Sequence, residues 1–349
     1  MENKSLNRFK YILVCVGIAF VMLSYYVYQI FFTANFGNKD EDKAFVLYIR
    51  SGATFQDVLD TLDKHKVYDD KTSFAFIAKM LDYQEHVKSG RYIIPTGSTN
   101  LQVVRKLRSG AQDPIRITFN NIRLKSEFID RVGGKFSFGR DTLAALLSNE
   151  TVCKKYGFDT TTVLTMFLPN TYEFYWSLSA ESFMNRMKEE YDRFWIQPRK
   201  DLAAAAGLTP VQVSILASIV DAETNKATEK ATVAGVYINR LNINMPLQAD
   251  PTVKFALGDF AIKRINHDLI EAAGNSPYNT YKVMGLPPGP INMPSITTID
   301  RVLHYESHDY LFFVADPARP GYHTFNTDYR SHVNKANAYR KSLNNRNIH

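Results

Sequence analysis

A glutamate near the end of an apolar helical pattern is the strongest candidate for chemistry in this sequence. Residues 210–223 have helical periodicity, and Glu223 continues the most apolar stripe, whereas Asp221 falls on another face and is expected to be solvated. The other stripe residues are Leu216, Ile219 and Val220. A carboxyl group at the edge of a core loses hydration, which raises its pKa and lets it hold a proton near neutral pH. Glu223 is therefore a candidate general acid for a glycosidic bond, and the simpler interpretation is a glutamate that reaches water from a helix end.

The start of this helix follows local sequence rules. Thr209 is placed as the N-cap, Pro210 occupies the first helical position, and Gln212 completes a capping box with Thr209. These signals predict a helix that begins at residue 210 and carries Glu223.

Polar and aromatic loops follow the helix. Residues 285–290 form a proline-rich, stiff loop, and residues 310–314 and 322–325 predict a β-hairpin. Tyrosine offers a flat apolar face beside a hydroxyl group, so loops of this composition suit an extended sugar chain.

A charge-free segment near the N-terminus predicts a membrane anchor. As a helix, residues 11–32 would be about 33 Å long, which matches a bilayer core of roughly 30 Å. A cleaved signal peptide is the alternative, but its apolar region is shorter and is followed by small residues. Here the run ends in bulky aromatic residues, which favours an uncleaved anchor.

The charges on either side of the anchor predict its orientation. Lys4, Arg8 and Lys10 precede it, whereas residues 39–43 after it are net acidic. Because positive flanks stay in the cytoplasm, we expect a single-pass protein of the cell inner (cytoplasmic) membrane. The chain after about residue 33 would then lie outside the cytoplasm.

Composition excludes several other classes of protein. A chain of 349 residues with 45% hydrophobic and 22% charged residues is typical of folded globular proteins and not of disordered ones. The net charge is +7, and the basic residues are scattered along the chain without a compact Lys/Arg run. Nucleic acid could suit this charge, but an anionic membrane or an anionic cell-wall polymer explains it as well, and we expect no nucleic-acid partner.

Neither a metal site nor a cofactor is predicted. Cys15 lies in the predicted anchor, so a disulfide with Cys153 and a cysteine-based zinc site are not expected. His304 and His308 are expected on one helix face, but Glu306 is misplaced for the metalloprotease pattern. The fingerprints of serine hydrolases, phosphate loops and dinucleotide-binding folds are absent from the sequence.

The N-terminal part of the exported chain predicts a small βααβα unit. Its predicted elements are a strand at 45–49, a helix ending near residue 62, a helix at about 73–81, a strand at 90–94 and a helix at 101–107. Asn100 is the predicted N-cap of the last helix, which ends at Gly110.

The middle of the chain predicts further mixed structure. The predicted elements are a strand at 115–119 and helices at 124–132, 141–147 and 180–194. Residues 198–206 predict a hinge into the last domain.

Four segments of the second half of the sequence, taken together, point to one family. They are ASIVDAET, INRLNINMPLQADPTV, SPYNTYKVMGLPPGPINMPS and YLFFVADPARPGYHTFNTDYRSH. In this order they resemble the MltG (YceG-like) endolytic murein transglycosylases. The resemblance covers nearly the whole chain and is densest at residues 207–335. It implies a LysM-like fold for the small N-terminal unit.

The resemblance also implies a set of site residues. The family's catalytic glutamate falls on Glu223, the residue that the helix pattern selects. The residues implied to line the glycan cleft are Gln248, Asp250, Tyr278, Asn279 and Asn292. The chain departs from many members at residues 165–166, where they have Glu-Gly, and at Asn170, where they have aspartate.

The resemblance implies cleavage of the β-1,4 bond between N-acetylmuramic acid and N-acetylglucosamine in nascent peptidoglycan strands. One acid–base group would suffice, because the C6 hydroxyl of the muramic acid attacks its own C1, leaves a 1,6-anhydro end and terminates the strand. A hydrolytic muramidase would instead need a second carboxylate, for which Asp250 is a candidate. A non-enzymatic peptidoglycan-binding scaffold is the third alternative. Glycan polymerases are compatible partners, but no residue indicates them.

Together the patterns predict an α+β fold with an N-terminal transmembrane helix. The predicted divisions are a cytoplasmic tail at 1–10, the transmembrane helix at 11–32, a LysM-like subdomain at 44–112, a mixed α/β middle segment at 113–200 and an α+β catalytic domain at 201–349.

Overall fold

The computed structural model describes residues 2–37 and 43–344, and its mixture of helices and short strands confirms the α+β fold. The chain forms two compact units. Unit 1 is Met1–Arg116 with Glu173–Leu178, and unit 2 is Ile117–Tyr172 with Ser179–His349. The finer predicted division of the exported chain into three segments stays a prediction.

Unit 1 combines one long helix and three short ones with two antiparallel strand pairs among its described residues. Its elements are α1 (Glu2–Phe32), β1 (Ala34–Phe36), β2 (Phe45–Ile49), α2 (Phe55–Lys64), α3 (Lys71–Met80), β3 (Gly90–Ile94), β4 (Ser98–Thr99) and α4 (Asn100–Ser109). β2 pairs with β3, from Phe45 opposite Ile94 to Ile49 opposite Gly90, and β1 pairs with β4. Apart from the two-residue strand β4, the elements from β2 to α4 follow the order β2-α2-α3-β3-α4, which confirms the predicted βααβα unit.

The N-cap of α4 differs from the prediction. Thr99 accepts a hydrogen bond from the N–H of Gln102 and donates its own N–H to the Gln102 side chain, so the predicted cap at Asn100 is wrong. Asn100 is instead buried. Its Oδ1 accepts from Asn35 at 2.6 Å, and its Nδ2 donates to the Ile30 carbonyl at 3.2 Å. Because buried amides need partners, these bonds fix the end of α1 to the rest of unit 1.

The first helix, α1, has a long apolar surface. Its segment Arg8–Phe32 contains 25 residues and is long and apolar enough to cross a membrane. Large apolar side chains such as Tyr11 and Phe20 are exposed along it. Among the charges used to predict its orientation, the side chain of Lys4 and residues 38–42 lie outside the described part of the chain.

The remaining elements belong largely to unit 2. They are β5 (Ile115–Phe119), α5 (Lys125–Phe128), α6 (Gly139–Ser148), α7 (Glu150–Lys155), β6 (Asn170–Phe174), α8 (Ala180–Phe194), α9 (Gln197–Ala205), α10 (Pro210–Glu223), α11 (Lys230–Asn242), α12 (Asp250–Leu257), α13 (His267–Ala272), α14 (Ile296–Leu303), β7 (Phe312–Ala315), β8 (His323–Asn326) and α15 (Tyr329–Asn344). β7 and β8 pair antiparallel, which confirms the predicted hairpin.

Two predictions for the middle of the chain need correction. The predicted helix at 124–132 is only one turn, α5, followed by a π-helical turn at Ile129–Gly133. The predicted hinge at 198–206 is wrong because most of it is the helix α9. Pro198 lies in the first turn of α9, where its missing N–H removes no hydrogen bond. The predicted strand at 115–119 and helix at 180–194 are confirmed.

The helix α10 is buried over most of its length. Every residue from Val213 to Val220 is buried, and the helix packs against α11, α12 and α14. A helix that is apolar on all sides needs such surroundings. Thr209 and Gln212 form the predicted capping box, so the predicted start of α10 is confirmed.

The cap of α10 predicts a measurable loss of stability. Because Thr209 satisfies a free N–H of the first helical turn, Thr209→Ala should lower the free energy of unfolding of unit 2 by about 1 kcal/mol. Thr209→Ser should change it little, because the hydroxyl group is kept. Urea unfolding in detergent micelles, followed by the fluorescence of buried Trp195 in a Trp176→Phe background, measures the difference. Equal unfolding midpoints for Thr209→Ala and wild type would contradict the capping role.

Candidate active site

Glu223 ends α10 and lines a cavity of about 440 Å³. The three residues that share its helix face, Leu216, Ile219 and Val220, are fully buried. Glu223 itself is half-buried, so the apolar stripe predicted from the sequence leads into the wall of this cavity. Oη of Tyr237, on α11, donates to Oε1 of Glu223 at 2.9 Å.

The surroundings of Glu223 favour its protonated form. Burial, and then the negative charge of Asp250, raise the pKa of Glu223 to about 7, while the hydrogen bond from Tyr237 and the cations Lys254 and Arg240 act in the opposite direction. A carboxyl group with this pKa is populated in both protonation states near neutral pH. It can therefore donate a proton in one step and accept one in the next.

A second carboxyl group, Asp250, lines the same cavity from the start of α12. Oη of Tyr281 donates to its Oδ1 at 2.6 Å, and burial raises the pKa of Asp250. Two desolvated carboxyl groups that share a cavity disfavour simultaneous ionisation. The arrangement therefore helps to keep a proton at the site.

Gln248 lines the cavity beside Asp250 in an uncommon backbone conformation. Its φ is 49°, in the left-handed region, and its N–H donates to the Thr280 carbonyl at 3.0 Å. Residues other than glycine adopt this conformation only where the surroundings hold them in it. The loop that leads into α12 is therefore held in one arrangement at the cavity wall.

A buried cation, Arg240, joins three parts of the cavity wall. It is 6% exposed, and its Nε donates to the Leu311 carbonyl at 2.7 Å and its Nη1 to the Leu247 carbonyl at 2.6 Å. Its guanidinium carbon lies 5.3 Å from the centre of the Phe312 ring. These contacts hold the hairpin and the loop before α12 against α11.

Arg240 and Tyr237 are not among the site residues predicted from the sequence. A signal for both exists, because they are three residues apart on α11 and occupy the buried side of that helix together with Val233 and Val236. An arginine and a tyrosine at such positions need polar partners, and Glu223 and the backbone carbonyls provide them.

A histidine–carboxylate pair lies on another side of the cavity. Glu229 is 7% exposed, and its carboxylate accepts from the backbone N–H of His323 at 2.7 Å and contacts Nδ1 of His323 at 3.1 Å. His323 begins β8 and lines the cavity. The pair attaches the hairpin to the segment after α10, so His323 is both a packing residue and a cavity residue.

The prediction that Asp221 is solvated is wrong. It lies on a different face of α10 from Glu223, as expected, but its side chain is only 15% exposed and forms an ion pair with Lys230. Thr298 also donates a hydrogen bond to it. Lys230 lies on the next helix, nine residues after Asp221, and Thr298 lies far along the chain on α14, so the helix pattern of α10 could not reveal them.

The remaining predicted cleft residues have other surroundings. Asn279 is fully buried, and its Nδ2 donates to the carbonyls of Ile270 and Gly274, so it organises its own loop. Tyr278 packs its ring 4.7 Å from that of Phe255. Asn292 lines a second cavity beside α10. Contacts of these residues with a glycan stay a prediction.

The histidines set aside as metal ligands do not share a helix. α14 ends at Leu303, His304 caps it, and His308 lies in the following loop, where its Nε2 contacts the Thr232 carbonyl at 2.9 Å. Within the described residues, no group of three or more potential ligand side chains is arranged to hold a metal ion.

The cavity that Glu223, Tyr237 and Asp250 line lies in a part of the chain with known relatives. Residues 47–338 match the sequence profile of the YceG-like family.

The chain belongs to the YceG-like family.

The curated relatives of this YceG-like chain share one description. A protein of Streptococcus pneumoniae (serotype 2, strain D39) named endolytic murein transglycosylase is 26% identical over 296 residues, which is 77% of this chain and 53% of the relative. A protein of Bacillus subtilis (strain 168) with the same name is 26% identical over 293 residues, 79% of this chain and 80% of the relative. The chain thus spans about half the length of the pneumococcal relatives that it matches.

A solved structure supports the fold. The crystal structure of a yceG-like protein from Listeria monocytogenes superposes with a TM-score of 0.54 at 24% sequence identity, covering 84% of this chain and 99% of the other.

The raised pKa of Glu223 predicts a dependence of stability on pH. An unperturbed glutamate has a pKa of 4.5, so folding favours the protonated form of Glu223 and stability should fall as the pH rises from about 4.5 through 7. Above pH 7, Glu223→Gln should therefore be more stable than wild type by roughly 3 kcal/mol.

This gain should disappear below about pH 4.5, where the carboxyl group is neutral in both states. Urea unfolding at several pH values measures it, with the exposed Glu189→Gln as the matched control. A difference between Glu223→Gln and wild type that is constant with pH would contradict the raised pKa.

Proposed function

We propose that this chain is a membrane-anchored lytic transglycosylase that cuts peptidoglycan strands internally. The observation that carries the proposal is the position of Glu223, a half-buried carboxyl group with a raised pKa at the wall of an open cavity. The names of the curated relatives support the same activity and substrate.

The proposed bond is the β-1,4 bond between N-acetylmuramic acid and N-acetylglucosamine. Protonated Glu223 donates its proton to the bond oxygen, which leaves with the N-acetylglucosamine side of the strand. The ionised Glu223 then accepts the proton of the muramic acid C6 hydroxyl as that oxygen attacks C1. The bond to the leaving oxygen breaks, the 1,6-anhydro bond forms, and Glu223 regains its proton without consumption of water.

The other groups of the cavity have supporting roles in this proposal. Tyr237 orients the Glu223 carboxyl group through its hydrogen bond. Asp250, when ionised, places a negative charge where positive charge develops at C1. The Arg240 contacts keep the hairpin and the loop of Gln248 in position.

A hydrolytic muramidase is the second candidate, because Asp250 shares the cavity with Glu223. In that reaction Asp250 would activate a water molecule or attack C1 directly. The hydrogen bond from Tyr281 occupies Oδ1 of Asp250, and this favours the intramolecular route, which needs no second carboxylate to react. A scaffold that only binds glycan does not require a carboxyl group with a perturbed pKa.

We place the enzyme on the outer side of the cytoplasmic membrane. α1 would cross the membrane with residues 1–10 in the cytoplasm, and the LysM-like unit at 44–112 and the catalytic part at 201–349 would lie outside. A single tether keeps the site close to newly made strands. Glycan polymerases are therefore reasonable partners in this proposal.

Product analysis tests the proposed reaction. Full-length wild type in detergent micelles should convert uncrosslinked glycan strands to fragments with 1,6-anhydro ends, as read by mass spectrometry. Glu223→Gln should lower the rate at least about 100-fold, because it can neither donate nor accept the proton. Glu189→Gln should cleave at the wild-type rate.

Each alternative has its own result in this assay. Ordinary reducing ends that disappear in Asp250→Asn would identify a muramidase. No cleavage by folded wild type would contradict an enzymatic function and favour the scaffold.

A further inference from the structure

A second cavity, of about 520 Å³, lies beside α10 in unit 2. Asp221 and Ala222 line it, whereas the next residue, Glu223, lines the first cavity. At the start of α12 the same relation holds between Pro251 and Asp250. Neighbouring residues of two helices therefore line the two cavities, which lie next to each other along α10 and α12.

The second cavity has an excess of positive charge. Three cations, Arg123, Lys230 and Lys254, line it together with one carboxylate, Asp221. Asp221 is paired with Lys230, and neither Arg123 nor Lys254 forms an ion pair with a carboxylate of the described residues. Two cations remain to bind an anion.

The two unpaired cations are held in different ways. The guanidinium carbon of Arg123 lies 4.1 Å from the centre of the Phe260 ring, and this cation–π contact restrains the position of the guanidinium group. Lys254 lies one helical turn after Asp250 on α12, and its charge lowers the pKa of both Glu223 and Asp250. Its ammonium group is therefore near the cleavage site.

The rest of the wall suits a short peptide. Asn121, Asn225 and Asn292 offer amide groups, and the apolar surface comes from Phe255, Phe260 and Met293. Nδ2 of Asn292 donates to the Ser218 carbonyl at 2.8 Å, while its Oδ1 is buried without a hydrogen-bond partner. Cations with amides and small apolar patches match a ligand that has carboxylates, peptide groups and short aliphatic side chains.

We propose that this cavity binds the carboxylate-bearing peptide stem attached to the lactyl group of the muramic acid next to the cleaved bond. The inference rests on the proposed function, because it takes a peptide-substituted glycan as the substrate. It makes Arg123 and Lys254 specificity residues for strands that carry peptides, as opposed to strands from which the peptides have been removed. Phosphate groups of anionic wall polymers are the competing ligand.

Binding tests the proposal without any requirement for cleavage. Isothermal titration calorimetry would use full-length Glu223→Gln in detergent micelles and a synthetic N-acetylmuramoyl tripeptide with free carboxylates. Amidation of all its carboxylates should weaken binding roughly 10-fold or more, because charge-assisted hydrogen bonds to the two cations are lost. This comparison involves no further change in the protein, so a failure to fold cannot explain it.

Variants then locate the binding site. Arg123→Gln and Lys254→Gln should each weaken binding of the free tripeptide roughly 10-fold and should bind its amidated form as Glu223→Gln alone does. Lys200→Gln removes an exposed cation elsewhere in unit 2 and should change the binding of neither the free nor the amidated tripeptide. Equal binding of the free and amidated tripeptides, or unchanged binding in both variants, would overturn the proposal. Displacement of the tripeptide by equimolar poly(glycerol phosphate) would also overturn it, in favour of a phosphate site.

A kinetic comparison separates this inference from the proposed function. On peptide-bearing strands, Arg123→Gln should raise KM roughly 10-fold, and on peptide-free strands it should leave KM unchanged. If wild type cleaves neither substrate while the tripeptide still binds, the proposed function fails and the peptide site stands. If wild type cleaves both substrates and Arg123→Gln affects them equally, the peptide site fails and the proposed function stands.

Discussion

The carboxyl group of Glu223 lies at the end of a helix that apolar neighbours surround on every side. The site depends on one constraint, which is that this carboxyl group loses much of its hydration. Eight consecutive residues of α10, Val213 to Val220, are buried, so the helix cannot rotate to expose its last residue without exposing its core. The capping box at Thr209 fixes where the helix begins and hence where it ends. The packing of α11, α12 and α14 around α10 therefore determines the protonation state of one side chain.

The polar groups around Glu223 keep it close to a balance between two protonation states. Burial and Asp250 favour the neutral form, whereas Tyr237, Lys254 and Arg240 favour the ionised form. With burial and Asp250 alone, Glu223 would hold its proton too tightly to donate it. With only the hydrogen bond and the two cations, Glu223 would be an ordinary ionised carboxylate. Arg240 has an additional mechanical role, because its bonds to the Leu247 and Leu311 carbonyls unite the segments that enclose the cavity.

Sequence patterns predict what depends on neighbours along the chain. The capping box of α10, the stripe that ends at Glu223 and the strands β2 and β3 all follow from local patterns, and the structure confirms them. The partners that set the chemistry come from far along the chain, as for Glu229 with His323 and Asp221 with Thr298, and no local pattern indicates these pairs. The prediction of a hinge at residues 198–206 is wrong for another reason. Proline breaks a helix when it lies in the interior but is tolerated in the first turn. The local sequence around Pro198 is compatible with either position, and the structure places it in the first turn of α9.

The pKa of Glu223 is the most direct test of this account. Carbon-13 NMR of the glutamate carboxyl carbons in the full chain in detergent micelles would follow its titration, with the resonance assigned by its absence in Glu223→Gln. The account predicts a midpoint at about pH 7, and a lower midpoint in Asp250→Asn, where the neighbouring negative charge is removed. A midpoint near 4.5 in wild type, the ordinary value for glutamate, would contradict it, because a carboxyl group that is ionised at neutral pH could not donate the proton.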